Sequence, residues 1–483
     1  MAEEKVNLQT EDFSKWYLQS IQQADLFAYG PVRGTMVFKP NGFALWKKVQ
    51  DYFEAKITEE GVKGVYFPML IPKHFFEKEA DHVEGFAPEL PWVTQAGDEE
   101  LEEPLALRPT SETLFGNAMS DWINSYRDLP MELNQWANVF RWEKRTLPFL
   151  RTTEFLWQEG HCAYATAEEG RERTLTFLEI YREMVENLLA IPVYVGQKTE
   201  SEKFAGAEAT YSLEAMVKDT KSVQAATSHF LGTNFAEAFD IKYLNTENEH
   251  VHVHTSSWGI STRILGTMIM THGDEKGCVF PPKMAPIQIA LIPAGNIKKN
   301  PQVLEKLREI EAELKAAGYT TELDDSNNSA GYKFNEAEVK GIPLRVEFGP
   351  RDMENNQCMI KMRDLDDKES VALDDLLDVV ADRMDKMQTR LFEKADQFRK
   401  ENEHYDIDTM AELEAHLAKC EESGQRPGWI LAGWDGTEAS EEAIKEATGF
   451  TTRNMPFEPA VKKETCIYSG KPAKYTVWLA RAY

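Results

Sequence analysis

Between Val139 and His161 the chain reads VFRWEKRTLPFLRTTEFLWQEGH, and charge alternates there with aromatic rings. The cations are Arg141, Lys144, Arg145 and Arg151, the anions Glu143, Glu154 and Glu159, and the rings Phe140, Trp142, Phe155 and Trp157. A planar guanidinium matches the geometry of a phosphate or carboxylate, so arginines held rigidly over a cleft suit phosphate chemistry better than lysines do. The pattern predicts a hairpin. On its first strand Arg141 and Glu143 share one face, with Phe140 and Trp142 on the core side. A loop runs through Pro148, and the returning strand sets Phe155, Trp157, Glu159 and His161 on one face. By itself the stretch equally fits a solvated strand with surface ion pairs.

Two further segments carry residues able to act with it. In LALRPTSETLF (105–115), Thr110 or Ser111 reads as a helix cap. Alternatively, Glu112 with the Thr110 hydroxyl beside it could receive an ammonium group. In TSSWGISTRILG (255–266), a strand ends near Gly259, where a flat ligand could approach the backbone. Arg263 then opens an apolar helix. A cation at a helix start opposes the macrodipole unless an anion lies nearby. His250, His252 and His254 invite a metal reading, but the outer pair on a strand is ~13 Å apart and cannot close a tetrahedral site unaided.

These segments need a scaffold, and its elements are legible. Leu45, Val49, Tyr52 and Phe53 have helical spacing, as do Leu175, Leu178, Tyr181, Val185 and Leu188 within 168–190. GVYFPMLIP reads as a short strand whose Pro68 confines it to an edge, interface or bulge. VFPPKMAP marks a boundary before residue 287. A strand–helix–strand rhythm follows: IQIALIP, helix 302–317, YTTEL, a helix from about 331, PLRVEF and CMIKMR, then a helix over 372–400. From about residue 287 the chain therefore reads as a small α/β domain, followed by a last segment, 401–483, of mixed character.

Composition narrows the classes. With 483 residues, 42% hydrophobic and 28% charged, the chain is an ordinary multidomain globular protein. No apolar run approaches the ~20 residues needed to span a bilayer. MAEEKVNLQTEDF lacks a secretion signal, and five scattered cysteines make no disulfide framework, so a cytoplasmic protein is expected. A net charge of -27 disfavours general nucleic-acid affinity but leaves room for a local basic patch.

In order, FRWE…R…EF, RPTSET and TSSWGISTR resemble class II aminoacyl-tRNA synthetases, and among these the prolyl-tRNA synthetases. GVYFPMLIP is similar to the first motif, at the family's dimer interface. EKFAGAEATYSLEA, VQAATSHFLGTNFA and THGDEKGCVFPP resemble segments lining the prolyl site. YKFNEAEVKGIPLRVEFGPRD resembles the anticodon-binding domain, and the terminal RAY fits as well. About ninety residues separate the second and third motifs, similar to the archaeal and eukaryotic-like branch without the editing insertion.

The resemblance implies an α+β fold class, with an antiparallel-sheet catalytic domain over 1–284, an α/β anticodon-binding domain over 285–400 and a small α/β C-terminal domain over 401–483. It implies proline activation with ATP, transfer to proline tRNA, and a homodimer with no membrane association. It implies Arg141 and Arg263 as the catalytic cations, on the α- and γ-phosphates. Glu143, Arg151, Gln224 and Thr227 complete the ATP site, with Mg²⁺ on the phosphates. Thr110, Glu112, Arg141, Trp157, Glu159, Phe204, His229, Trp258 and Ser261 surround proline. Anticodon contacts are expected from Lys333, Lys340, Arg345, Arg351, Lys361 and Arg363; Lys361 and Arg363 are expected on one strand face.

Relatives in that branch often hold zinc through four cysteines. The matching positions here are Asp435, Ser440, Cys466 and Ser469, so no zinc is expected, and no protein metal site. Two other readings stay open: a catalytically silent tRNA-binding paralogue, and a ligase that hands proline to a carrier protein.

Overall fold

The computed structural model describes residues 11–77, 90–295 and 299–483. Most of the N-terminal stretch read for a secretion signal (residues 1–10) lies outside them. The central feature is an eight-stranded sheet. Its strands are Lys63–Gly64 (β1), Met131–Phe140 (β2), Glu154–Tyr164 (β3), Val193–Gln197 (β4), Ala209–Met216 (β5), Ser222–Gly232 (β6), His254–Ser261 (β7) and a late-arriving Met455–Pro456 (β16). The spatial order is β16-β4-β5-β6-β7-β3-β2-β1. Every neighbouring pair is antiparallel except β1 with β2, where Lys63 stands opposite Leu133.

Helices Pro40–Glu59 (α2) and Ala167–Asn187 (α4) cover one face of this sheet. The Thr166 hydroxyl caps α4 by accepting from Glu169 N at 3.2 Å, and Glu168 and Glu169 complement the positive helix end. Its buried side includes Phe177, Leu178, Tyr181, Met184 and Val185, whereas Leu175, expected on that side, is 40% exposed. Between helices and sheet lies an aromatic core. Phe53 stacks on Tyr181 at 4.7 Å, and Phe177 on Trp258 at 4.2 Å. Each fully buried ring of this kind stabilises by about 1.5–3 kcal/mol through area removed from water.

GVYFPMLIP divides as its proline requires. β1 pairs at the edge of the large sheet, and Leu70–Pro72 joins a separate three-stranded sheet. Downstream, Ile289–Pro293 (β8), Thr321–Leu323 (β9), Leu344–Phe348 (β10), Gln357–Met362 (β11) and Lys368–Ala372 (β12) form a mixed sheet in the order β9-β8-β10-β11-β12. Helices Pro301–Ala316 and Ala330–Val339 alternate with its strands, and Leu376–Glu401 follows. The last sheet, Glu403–His404 (β13), Trp429–Trp434 (β14), Thr451–Thr452 (β15) and Tyr475–Ala480 (β17), runs β13-β14-β17-β15. All five cysteines are free and buried, and among the described residues no helix is long and apolar enough to cross a membrane.

Candidate active site

The face of the large sheet opposite α2 and α4 holds a cavity of about 250 Å³. Strand alternation decides what enters it. On β3, Phe155, Trp157, Glu159 and His161 line the cavity, as their spacing predicts. The intervening residues face the helices: Gln158 accepts from the Tyr181 hydroxyl, and Cys162 from the Trp258 indole. On β6, Thr227 and His229 face the cavity while the Ser228 hydroxyl donates to Thr174 O in α4.

The first strand of the hairpin is shorter than expected. β2 ends at Phe140, and Arg141 N instead donates to Thr153 O in the connecting loop. Trp142 therefore leaves the sheet and is 53% exposed, a correction to its assignment as a core residue. Arg141 nonetheless reaches the cavity. Its Nε donates to Pro109 O at 3.2 Å, and its guanidinium lies over the rings of Phe155 and Trp157, 5.4 and 5.6 Å from their centroids. Buried Arg108 bonds Asn138 O and Phe67 O, which fixes the backbone that leads to Thr110 and Glu112.

Helix Glu112–Trp122 (α3) begins with Ser111 at its cap position, but that hydroxyl caps nothing. It donates to Glu159 Oε1 at 2.6 Å, and Ser111 N donates to Glu159 Oε2 at 3.1 Å. Gln135 Nε2 adds a third contact at 2.5 Å and His161 Nε2 a fourth at 2.9 Å. Glu159 is therefore occupied by protein donors, whereas Glu112 stands at the cavity wall with the Thr110 hydroxyl donating to it. Burial opposes charge on Glu159, yet His161, Ser111 and Gln135 overcome it and hold its pKa down. Burial likewise opposes charge on His161, but Glu159 and the field of Glu112 raise its pKa on balance. His229 is the converse. Burial, then His161, push it down to about 3, so it is neutral, with Nδ1 2.9 Å from the Thr210 hydroxyl.

Arg263 opens helix Arg263–His272 (α5) and is half-buried, with Nε donating to Leu150 O at 3.0 Å. Burial, then the charges of Arg151 and Arg141, push its pKa down to about 10. Cations crowded at a helix start repel one another and the helix dipole, and an anion there would relieve both. Two buried polar atoms on the lining, Trp157 Nε1 and Ser257 Oγ, lack a hydrogen-bond partner, which marks positions for a polar ligand.

The structure thus brings together Thr110, Glu112, Arg141, Trp157, Glu159, Phe204, Gln224, Thr227, His229, Ser261 and Arg263 around one space. Glu143 and Arg151 lie outside the lining and face each other at 3.8 Å. Trp258 is corrected. Its ring stacks on Phe177 among the helices, and a Cβ on Gly160 would lie 2.1 Å from it, so only its backbone reaches the cavity. His161, Phe155, Glu202, Thr210 and Ser257 also line the space and were not among the expected site residues. For His161 and Phe155 the alternation on β3 was the available signal; Thr210 and Glu202 carried none.

In the mixed sheet three of the expected anticodon contacts are corrected. Lys333 is buried with Nζ on Asp324 O and Ser326 O. Arg345 is buried against Glu347 at 2.9 Å, and Arg363 forms a two-pronged pair with Asp274 at 2.6 and 2.7 Å. Their charges are already neutralised inside the fold. Lys361 belongs to β11 and Arg363 lies one residue past its end, but Arg363 N donates to Pro343 O at 2.8 Å as the ladder continues, and Arg363 Nε and Lys361 Nζ both reach Glu338, so the two keep one face. Arg351 is exposed, and Lys340 and Lys361 are half-buried.

The three histidines at 250–254 do not converge: His252 is 3.7 Å from Asp240, and the His254 Nδ1 is buried without a partner. Among the described residues, Glu112, Glu159 and His161 have metal-ligand spacing, but Glu159 already accepts from Ser111 and Gln135, and His161 Nε2 lies 2.9 Å from its Oε2, an arrangement of protein partners rather than an open ligand set. In the last domain Asp435 accepts from Ser440 Oγ at 2.9 Å, Ser469 Oγ at 2.6 Å and Thr437 Oγ1 at 2.8 Å, and Ser469 N donates to Cys466 Sγ at 3.5 Å. These side chains satisfy one another, and a single thiol among hydroxyls does not fit a structural Zn²⁺.

Comparison with known families agrees in every part of the chain. Residues 92–272 match the tRNA synthetase class II core domain (G, H, P, S and T), 288–383 an anticodon binding domain, and 419–483 the prolyl-tRNA synthetase C-terminal domain. A proline–tRNA ligase of Symbiobacterium thermophilum is 54% identical over 488 residues, covering 100% of both chains. Proline–tRNA ligase 2 of Clostridioides difficile is 48% identical over 99% of this chain and 98% of its own. Proline–tRNA ligase 2 of Bacillus cereus is 47% identical over 100% of each.

Proposed function

Because the chain belongs to the prolyl-tRNA synthetases, class II enzymes that ligate proline to tRNA, we propose that the 250 Å³ cavity is where proline meets ATP. The observation that carries this reading is the convergence of Glu112, Arg141 and Arg263 on one lining. Proline is a compact ring with one cationic nitrogen, so its pocket needs apolar walls and one placed anion. Glu112, steadied by Thr110, supplies the anion. Trp157 and Phe204 supply walls, His229 is a neutral polar neighbour, and Ser261 closes the phosphate side. Glu159 acts indirectly, holding Ser111, Gln135 and His161.

ATP enters as its magnesium complex. Arg141 lies between the carboxylate and α-phosphate positions, and Arg263 receives the γ-phosphate. Gln224 and Thr227 border the nucleotide, with Glu143 and Arg151 at its rim. The substrate carboxylate attacks the α-phosphorus, pyrophosphate leaves, and a tRNA hydroxyl then attacks the prolyl-adenylate. Neither step needs a protein nucleophile. The cations act by alignment and by neutralising developing charge.

The domains run 1–284 for catalysis, 285–400 for the anticodon and 401–483 at the C-terminus. Exposed Arg351, with Lys340 and Lys361, supports an anticodon contact on the mixed sheet. The chain forms a homodimer through the 61–72 segment, a reading supported by Tyr66 and Leu70 there, 72% and 38% exposed. It works in the cytoplasm and holds no zinc; a metal assay finding one zinc per chain overturns the latter. The deciding experiment is ATP–pyrophosphate exchange across all twenty amino acids, followed by transfer to proline tRNA. Exchange with proline and then transfer is the expected result. Exchange without transfer indicates delivery to another carrier, and neither indicates a silent paralogue.

A further inference from the structure

The C-terminal domain completes the catalytic sheet. β16 pairs with β4 so that Met455 stands opposite Gln197 and Pro456 opposite Gly196. Gly196 permits this approach, because a Cβ there would lie 2.3 Å from Met455 O. Asn454 Nδ2 donates to Tyr194 O at 3.1 Å, and Arg453 reaches buried Glu214 at 3.2 Å. The clamped strand, β4, leads directly into the turn 198–208, which delivers Glu202 and Phe204 to the cavity.

That turn is held at two points. On the substrate side, Phe204 N donates to the Thr210 hydroxyl at 3.0 Å, and the same oxygen lies 2.9 Å from His229 Nδ1. On the far side stands Glu441, in helix Glu438–Thr448 (α10). Its Oε1 accepts from Thr199 Oγ1 at 2.9 Å, and its Oε2 from Ser201 Oγ at 2.5 Å. Thr452 donates a third hydroxyl from β15. Thr199 in turn organises the bend, its carbonyl accepting from Lys203 N at 2.9 Å. Glu441 is 8% exposed. A carboxylate so far from water is costly unless donors compensate it, and two of its three donors belong to the turn, some 240 residues away in sequence.

We propose that Glu441 is a positioning residue for the substrate pocket: by gripping Thr199 and Ser201 it sets the turn that carries Phe204 and Glu202 to the amino-acid site. The C-terminal domain then tunes amino-acid affinity without touching substrate. This rests on reading the cavity as the proline site.

The test is steady-state exchange kinetics on the full chain. Glu441→Ala raises KM for proline by about fivefold or more, the scale of one or two lost hydrogen bonds, while KM for ATP stays within about twofold. Glu441→Gln, which keeps the length and an acceptor, restores part of the loss. Thr199→Val with Ser201→Ala leaves Glu441 in place and reproduces the effect from the other side. Adding Glu441→Ala to that pair gives no further rise, because the same contact is already gone. A proline KM unchanged in both Glu441→Ala and the paired variant overturns the proposal, as does a parallel rise in both KM values. Wild-type chain without proline-dependent exchange overturns the reading of the pocket itself, a different result from intact exchange with an unmoved KM.

Discussion

Glu159 and His161 stand two residues apart on β3, both buried, with carboxylate and imidazole 2.9 Å apart on the face that lines the cavity. The pair fixes a charge beside Glu112. His161 has its folded pKa raised above the ordinary imidazole value of 6.5, despite burial, by Glu159 and Glu112. Its stabilising contribution is therefore complete below about 6.5 and is lost as pH rises through the higher folded value. His161→Gln is expected to cost about 3 kcal/mol near pH 6, because one partner of a buried pair is removed. Urea unfolding from pH 6 to 9 checks this: the gap between wild type and variant must narrow as pH rises.

Arg141→Ala is expected to abolish proline-dependent exchange, and Arg263→Met to lower its kcat by about a hundredfold or more. Arg263 is charged at a cost, its pKa pushed down to about 10 by burial and two neighbouring arginines. Removing it relieves the folded state, so Arg263→Met keeps or raises Tm while losing activity. A variant that loses both together would indicate a structural role instead.

Trp157 and Trp258 separate pocket from core. Trp157→Ala should raise the proline KM by about tenfold with little change in stability, since its ring borders the cavity. Trp258→Ala removes a ring stacked on Phe177 and should cost about 3–5 kcal/mol in unfolding free energy. Denaturation and exchange kinetics on the two variants decide between these roles.

Glu214 pairs with Lys198, just past β4, at 2.7 Å, and joins the sheet to the C-terminal domain through Arg453 at 3.2 Å. Burial works against its charge, but the two cations hold its pKa down to about 2. This contribution is present above the ordinary carboxylate value of 4.5 and is lost as pH falls toward 2. Glu214→Gln should cost about 3 kcal/mol at pH 7 and much less at pH 3. Equal losses at both pH values would contradict the ion-pair account.

Arg351→Ala should raise the KM for proline tRNA while leaving exchange unchanged. Arg363→Ala, which strips Asp274 of its partner, should instead lower Tm. Aminoacylation kinetics beside a melting curve distinguish the two.

Much of the site was written in local pattern. The alternation on β3 is enough to place Phe155, Trp157, Glu159 and His161 on one face, because a strand's period of two needs only neighbours. The same rule carried a warning about Trp258 and Ser261, which are three residues apart and so cannot share a strand face. Ser261 faces the cavity, and Trp258 therefore goes to the helices. What periodicity lacked was the knowledge of which face held the core.

The sequence by itself determined the candidates: which segments bear arginines suited to phosphate, which carboxylate could receive an ammonium group, and that one cysteine stands where relatives often have four. Those are properties of residue type and short spacing. Only tertiary structure decided which charges remain available. Arg363 is neutralised by Asp274, 89 residues away, and Thr199 is held by Glu441, 242 residues away. Such pairings arise when the sheet and the C-terminal domain close on each other. A charge that meets its partner only on folding looks, along the chain, the same as one that remains in water.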